Sequence, residues 1–234
     1  METFNLSGTK IVEIPYFSDQ LVNKNGSVLI IGERHGGEGV SEAIKEKGMV
    51  NVTTTDILSV KKDSWLDKNQ GEWKHIQADF VEFDESNKYD YVISVSVFEH
   101  FGFWIFDNRM ANGKVQDDYC LWNHDLVGIN KACKLLNNLS SKLIITLPAG
   151  PYMNYEPSGK PFLRYYDFRR QQLIKEELVK NGFIISDEKF YYSENFVDWK
   201  EVDGSINNPQ NYHVYNYYTP NVIWGFTIQK NYAA

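Results

Sequence analysis

The chain alternates short apolar or β-branched runs with stretches of helical spacing, and this alternation restricts it to a sheet flanked by helices. Val28-Leu29-Ile30-Ile31 is a continuous apolar run ending at Gly32, the pattern of a strand buried on both faces. Val40, Ala43, Ile44 and Lys47 then follow helical spacing, with Gly48 as the stop. Residues 50–55, 73–78, 89–98, 143–147, 183–190 and 222–228 predict further strands. Trp122, Leu126, Ile129, Cys133 and Leu136 recur at steps of four, three, four and three, a single apolar helical stripe. Residues 169–181 predict a last helix, with Asp167 as N-cap and Gly182 just past its end. The right-handed crossover rule then gives an α/β fold. It is a doubly wound, Rossmann-like, mostly parallel seven-stranded sheet with helices on both faces and an antiparallel C-terminal strand pair. No composition shift divides the chain, so 1–234 is expected to be a single domain, with a Pro/Gly-rich aromatic insertion at 149–166.

Composition narrows the function classes. A net charge of −7 and the lack of a basic stripe argue against a nucleic acid partner. No apolar run approaches the roughly 18–20 residues of a membrane span. Met1 to Lys10 lack a basic segment followed by an apolar core, so no secretory signal is expected. Two cysteines, Cys120 and Cys133, are too few for a disulfide framework or a four-cysteine zinc site, and a reducing, cytoplasmic compartment is expected.

The segment from Ser27 to Gly39 concentrates the chemistry. A buried strand enters Gly32, Gly36, Gly37 and Gly39 and leaves as a helix, so the backbone can turn sharply and approach a ligand at the strand's carboxyl end. Neither the dinucleotide spacing G-x-G-x-x-G nor the phosphate loop G-x-x-x-x-G-K-[ST] occurs there. The turn therefore suits a ligand that needs backbone proximity without a pyrophosphate cradle. Asp56, with Ile57 beside it, ends the second strand, where a carboxylate can accept from both hydroxyls of a ribose. Asp79 ends the third; its carboxylate could take an exocyclic amine proton while Phe80 packs on a purine face. Glycine turn, Asp and Asp on three successive strand ends point to an adenosine-bearing ligand.

On these residues the chain resembles the class I S-adenosylmethionine-dependent methyltransferases, most fully over residues 25–150. The resemblance implies S-adenosyl-L-methionine as cofactor. The turn from Gly32-Glu33 through Gly36, Gly37 and Gly39 would hold its methionine part, Asp56 its ribose, and Asp79-Phe80 its adenine. The segment Asp90 to His100 looks like the family's fourth strand followed by Glu-His. The glycines are spread as GxxxGGxG, with Ile30 where the family carries an acid, and this suggests an alternative: a non-catalytic module that binds the cofactor or a nucleoside. A nicotinamide oxidoreductase is the third reading, opposed by the missing G-x-G-x-x-G.

Methyl transfer requires alignment of acceptor and methyl, exclusion of water and often removal of a proton. His100 is the candidate base, since its reference pKa lies near neutrality. Glu99 is a second candidate, as cofactor support or in catalysis. Asp125, one turn before Ile129, could reach a site near its helix start, whereas His124 is expected to face solvent. Arg164, Arg169 and Arg170, with Tyr152, Tyr155, Tyr165 and Tyr166, could bind a polar or anionic small acceptor such as a nucleotide-linked sugar. Asp117 and Asp118 read as charges at a helix start, and no metal site is expected. The 149–166 segment is expected to act as an acceptor lid; a homodimer contact would use the same aromatics.

Overall fold

The structure is a computed structural model that describes residues 8–32, 39–60, 62–68, 71–102, 123–150, 154–155, 163–204 and 221–232. Its elements are α1 (Lys10–Gln20), β1 (Val28–Ile31), α2 (Val40–Glu46), β2 (Val52–Asp56), α3 (Trp65–Lys68), β3 (Lys74–Gln77), β4 (Tyr91–Val95), α4 (His124–Lys134), β5 (Lys142–Ala149), β6 (Asn154–Tyr155), β7 (Leu163–Arg164), α5 (Phe168–Lys180), β8 (Phe183–Tyr192), β9 (Lys200–Val202) and β10 (Val222–Lys230). Single 3₁₀ turns cover Phe80–Glu82 and Phe98–His100.

The main sheet has eight strands in the order β3-β2-β1-β4-β5-β10-β8-β9. The first five pair in parallel, and β10 runs antiparallel to both β5 and β8. The expected doubly wound sheet and antiparallel closing pair are present. The eighth strand is β9, three residues paired to the edge of β8 within a stretch whose polarity reads as loop. A separate two-stranded ribbon, β6 with β7, lies inside the 149–166 segment. Among the described residues, no helix is long and apolar enough to cross a membrane.

Alternating side chains of the buried strands feed two cores. Leu29, Ile31, Val92, Leu143, Ile145 and Leu147 pack with α4 and α5 on one face. Val28, Ile30, Tyr91, Ile93 and Ile144 pack with α1 and α2 on the other. This is the period-2 rule of a strand applied to runs that are apolar throughout. Helix α5 opens as expected, with the Asp167 carboxylate accepting from the Arg170 amide at 2.8 Å, and Gly182 follows it at φ +78°. On α4 the stripe residues Leu126, Ile129 and Cys133 are buried; burial pushes the Cys133 thiol up, so it stays protonated.

The sequence reading assigns no element to Lys10–Gln20, a helix with Pro15 in its interior. Packing outweighs that signal. Val12, Ile14, Tyr16 and Phe17 are buried, and the Tyr16 ring lies where a Cβ on Gly225 of β10 would sit 2.9 Å from it. The Tyr16 hydroxyl pairs with Thr227 Oγ1 at 3.2 Å, fixing α1 across the sheet with its first turn at the carboxyl ends of β4 and β5.

Candidate active site

The carboxyl ends of β1 to β5 meet at one edge of the sheet, and the order 3-2-1-4-5 places the topological switch between β1 and β4. Gly32 leaves β1 at φ +80°, with its amide donating to the Thr55 carbonyl at 2.7 Å. A Cβ built on Gly32 would stand 2.5 Å from both methyls of Val97, which follows β4. The position therefore admits glycine alone, and it draws the turns after β1 and β4 into contact across the switch. Gly39 closes the turn at φ +90° as it enters α2. Glu33, Gly36 and Gly37 lie outside the described residues. Gly32→Ala should cost about 2 kcal/mol through the overpacking against Val97, and Val97→Ala in the same chain should restore part of it. Denaturant midpoints of the three variants check this; equal midpoints for Gly32→Ala and wild type would mean that the two turns do not touch.

Asp56 ends β2 half-buried, and its Oδ1 accepts from the Leu58 amide at 2.8 Å. Ile57 follows, and its carbonyl accepts from Gln77 Nε2 at 3.3 Å. Asp79 follows β3, and its Oδ1 accepts from the Val81 amide at 3.0 Å, capping the 3₁₀ turn. The Phe80 reading needs correction. Its ring is 4% exposed and sits among Phe83, Phe98 and Phe101, with centroids 5.7–6.3 Å away. An aromatic ring at that strand end gains more by joining this cluster than by standing open to a purine. The structure places the Asp56 and Asp79 carboxylates as hydrogen-bond acceptors at two neighbouring strand ends.

On the acceptor side, β4 is followed by Ser96, whose φ of +52° is rare for a residue with a side chain. The turn Phe98–His100 follows, and α4 packs on it closely: a Cβ on Gly128 would lie 2.7 Å from Phe101 and 2.8 Å from Phe98. His100 is partly exposed, with Nε2 4.0 Å from Glu99 Oε1. Glu99 is 3% exposed, and its Oε2 has no hydrogen-bond partner among the described residues. Burial, supported by the nearby charge of Glu13, pushes its pKa from 4.5 up to about 8. A folded-state pKa raised this way contributes stability that is complete below pH 4.5 and is lost as pH rises towards about 8. Glu99→Gln mimics the protonated acid, so its stability relative to wild type should grow across that window and then level off. Urea midpoints on either side of the window test the sign; a constant difference would show that Glu99 is already ionised.

The structure brings Asp125, Arg164 and Tyr166 together, but not as acceptor groups. Asp125 is fully buried, and Arg164 at 2% exposure places Nη1 2.8 Å from Asp125 Oδ1. Arg170 binds both oxygens of Asp125, through Nη2 on Oδ1 and through Nε on Oδ2 at 3.3 Å. Arg164 Nη2 also donates to the Phe101 carbonyl at 3.1 Å. The buried Tyr166 hydroxyl lies within electrostatic reach of Asp125, Arg164 and Glu99, and burial raises its pKa well above the usual value. The expectation that Arg164 and Tyr166 face an acceptor is therefore corrected. Their charges and hydroxyl turn inward because Asp125, on the buried side of α4, needs cationic partners. Arg169 is exposed and His124 is half-buried. Tyr152, Asp117, Asp118 and Cys120 lie outside the described residues, as does the side chain of Tyr155 on β6. Among the described residues, no three His, Cys, Asp or Glu side chains converge as a metal site. Sequence reasoning missed Glu13, whose carboxylate is buried at the ends of β4 and β5. An acid on the buried side of an amphipathic helix was the available signal.

No protein-family model and no curated protein matches the chain. Solved structures do. The 1,6-didemethyltoxoflavin-N1-methyltransferase of Burkholderia thailandensis, solved with S-adenosylhomocysteine, aligns at a TM-score of 0.58 and 12% identity over 96% of this chain and 79% of that one. The N-methyltransferase NodS of Bradyrhizobium japonicum, also with S-adenosylhomocysteine, aligns at 0.56 and 9% identity over 97% and 89%. A TehB-like S-adenosylmethionine-dependent methyltransferase of Corynebacterium glutamicum aligns at 0.52 and 13% identity over 94% and 87%. Likeness at this level of identity is likeness of fold: the chain has the class I methyltransferase fold.

Proposed function

We propose that the protein is an S-adenosylmethionine-dependent methyltransferase acting on a small molecule. The observation that carries this reading is the convergence of Gly32, Asp56 and Asp79 on three neighbouring strand ends, with Val97, Glu99 and His100 across the switch point. These residues fit the cofactor: a turn at Gly32 that no Cβ may enter, and two acidic strand ends whose carboxylates can accept from the ribose hydroxyls and the adenine amine. Bound there, S-adenosylmethionine would supply an electrophilic methyl on a sulfonium. Gly32 and Gly39 open the backbone to its amino acid portion, Asp56 and Ile57 hold the ribose edge, and Asp79 orients the base. His100 is the group placed to take a proton from an acceptor hydroxyl, with the buried Glu99 beside it, 4.0 Å from its Nε2. Asp125 acts through Arg164, which holds the Phe101 carbonyl and with it the end of the His100 turn, while Arg170 fixes the Asp125 carboxylate.

The acceptor we favour is a neutral hydroxyl, of which a carbohydrate is the leading class, because Arg164 and Arg170 are engaged by Asp125 rather than offered to an anion. The negative net charge supports a small molecule over a nucleic acid. Titration calorimetry with S-adenosylmethionine, S-adenosylhomocysteine and NAD tests the proposal. Heat with the first two and none with NAD is the expected result. Heat with NAD alone would overturn it in favour of an oxidoreductase. Binding without slow methyl transfer to water or to any acceptor pool would favour a module that binds the cofactor and does not turn it over.

A further inference from the structure

Glu13 belongs to a helix outside every segment that the cofactor reading uses, yet it is fully buried at the carboxyl ends of β4 and β5. Its Oε2 accepts from Thr9 Oγ1 at 2.8 Å and Lys10 Nζ at 3.1 Å. Its Oε1 accepts from Thr146 Oγ1 at 2.7 Å and from the Ser96 hydroxyl. Ser96 is the positive-φ residue at which the chain turns from β4 into Val97, Glu99 and His100. Its amide donates to the Thr146 carbonyl at 3.1 Å, so Glu13 bridges Thr146 of β5 and the residue that follows β4. We propose that Glu13 is a positioning residue of the active site, holding through Ser96 the strained turn that presents Val97 to the cofactor loop and Glu99-His100 to the acceptor.

Two further observations support this role. A strained turn persists only where its surroundings over-determine it, and Glu13 supplies a side-chain hydrogen bond to Ser96. Glu13 also acts on Glu99 by charge. Burial works against its own ionisation, but Lys10 and the hydroxyls of Ser96, Thr146 and Thr9 outweigh that, so Glu13 stays ionised below the usual carboxylate range. The groups that act on Glu99 are then Glu13 and Lys10 from α1, the Ser96 hydroxyl, whose hydrogen bond lowers its pKa, His100 from its own turn, and Tyr166 after β7, itself coupled to Arg164 and Asp125. Glu13 raises the pKa of Glu99 and Lys10 lowers it. Removing the Glu13 charge ends the repulsion and leaves Lys10 without its carboxylate, and both effects move Glu99 downward.

The inference rests on the methyltransferase reading for the purpose of the site, but its test needs no turnover. Protein carrying carbon-13-labelled glutamate is titrated by NMR, with Glu99→Gln assigning the signal, and amide exchange is followed at residues 96–100. Wild-type Glu99 should titrate near pH 8. Glu13→Gln keeps an oxygen for Ser96 and Thr146, so the Glu99 midpoint should fall while amide protection stays at its wild-type level. Glu13→Ala removes both bonds, and protection at 96–100 should drop roughly 10- to 100-fold. Should that variant not fold, Ser96→Ala reads the same contact and should lose protection without lowering the midpoint. An unmoved midpoint in Glu13→Gln, or wild-type protection in both alanine variants, would overturn the proposal. S-adenosylhomocysteine calorimetry on wild type is the separate control: absent heat there refutes the methyltransferase reading and leaves the Glu13–Ser96 result to stand or fall on the NMR.

Discussion

Asp56→Ala should leave a folded protein whose affinity for S-adenosylhomocysteine is weaker by about 1.5–3 kcal/mol for each charged hydrogen bond lost to the ribose. On the binding scale that is about 10- to 150-fold per bond. The expectation rests on position. Asp56 ends β2 one strand away from the glycine turn, pairs in register with Gln77 of β3, and is only half-buried. One of its oxygens accepts from the Leu58 amide at 2.8 Å, a local bond whose loss costs about 1 kcal/mol of stability. Asp56→Asn separates the contributions, since it can keep the Leu58 bond while losing the charge; it should bind less tightly than wild type and fold as well. The measurement is calorimetry paired with a thermal melt. An unchanged affinity in a folded Asp56→Ala protein would place the cofactor elsewhere or have its ribose held by other groups.

What could be read from the sequence divides along a physical line. Strands β1, β4 and β5 are buried on both faces, so burial alone dictates their composition and continuous apolar runs mark them. The acids Asp56 and Asp79 are legible because a strand end is defined by local pattern. Edge strand β9 is not, since its residues need satisfy only one neighbour. The side-chain misreadings mostly concern partners distant in the chain. Glu13 meets Ser96 and Thr146 across separations of 83 and 133 residues, and Arg170 meets Asp125 across 45. Asp125 was visible as an acid near a helix start, but nothing local says that two arginines will enclose it. Phe80 was visible as an aromatic after an acidic strand end, but its direction is set by Phe83, Phe98 and Phe101. Composition and period fix which residues are buried; the pairing of buried charges follows from topology.

The pairing around Asp125 carries the largest stability effect. Asp125→Ala should destabilise the fold by about 3–5 kcal/mol, because it leaves the guanidinium of Arg164 buried without its carboxylate. Arg170 is less enclosed and can turn toward solvent, so Arg164 dominates the cost. The loss should be partly repaired by Arg164→Met in the same chain, which replaces the stranded charge by apolar volume and gives up the bond to the Phe101 carbonyl. A double-mutant cycle in urea measures both. The cycle also decides what Asp125 does. With both oxygens engaged by arginines and the Leu126 amide on Oδ1, it has no geometry for taking a proton from a substrate. A positioning role therefore requires that turnover and stability fall together in Asp125→Ala and recover together in the double variant. Near-wild-type stability in Asp125→Ala with turnover abolished would instead make Asp125 the base, and would mean that Arg164 and Arg170 release it when the acceptor binds.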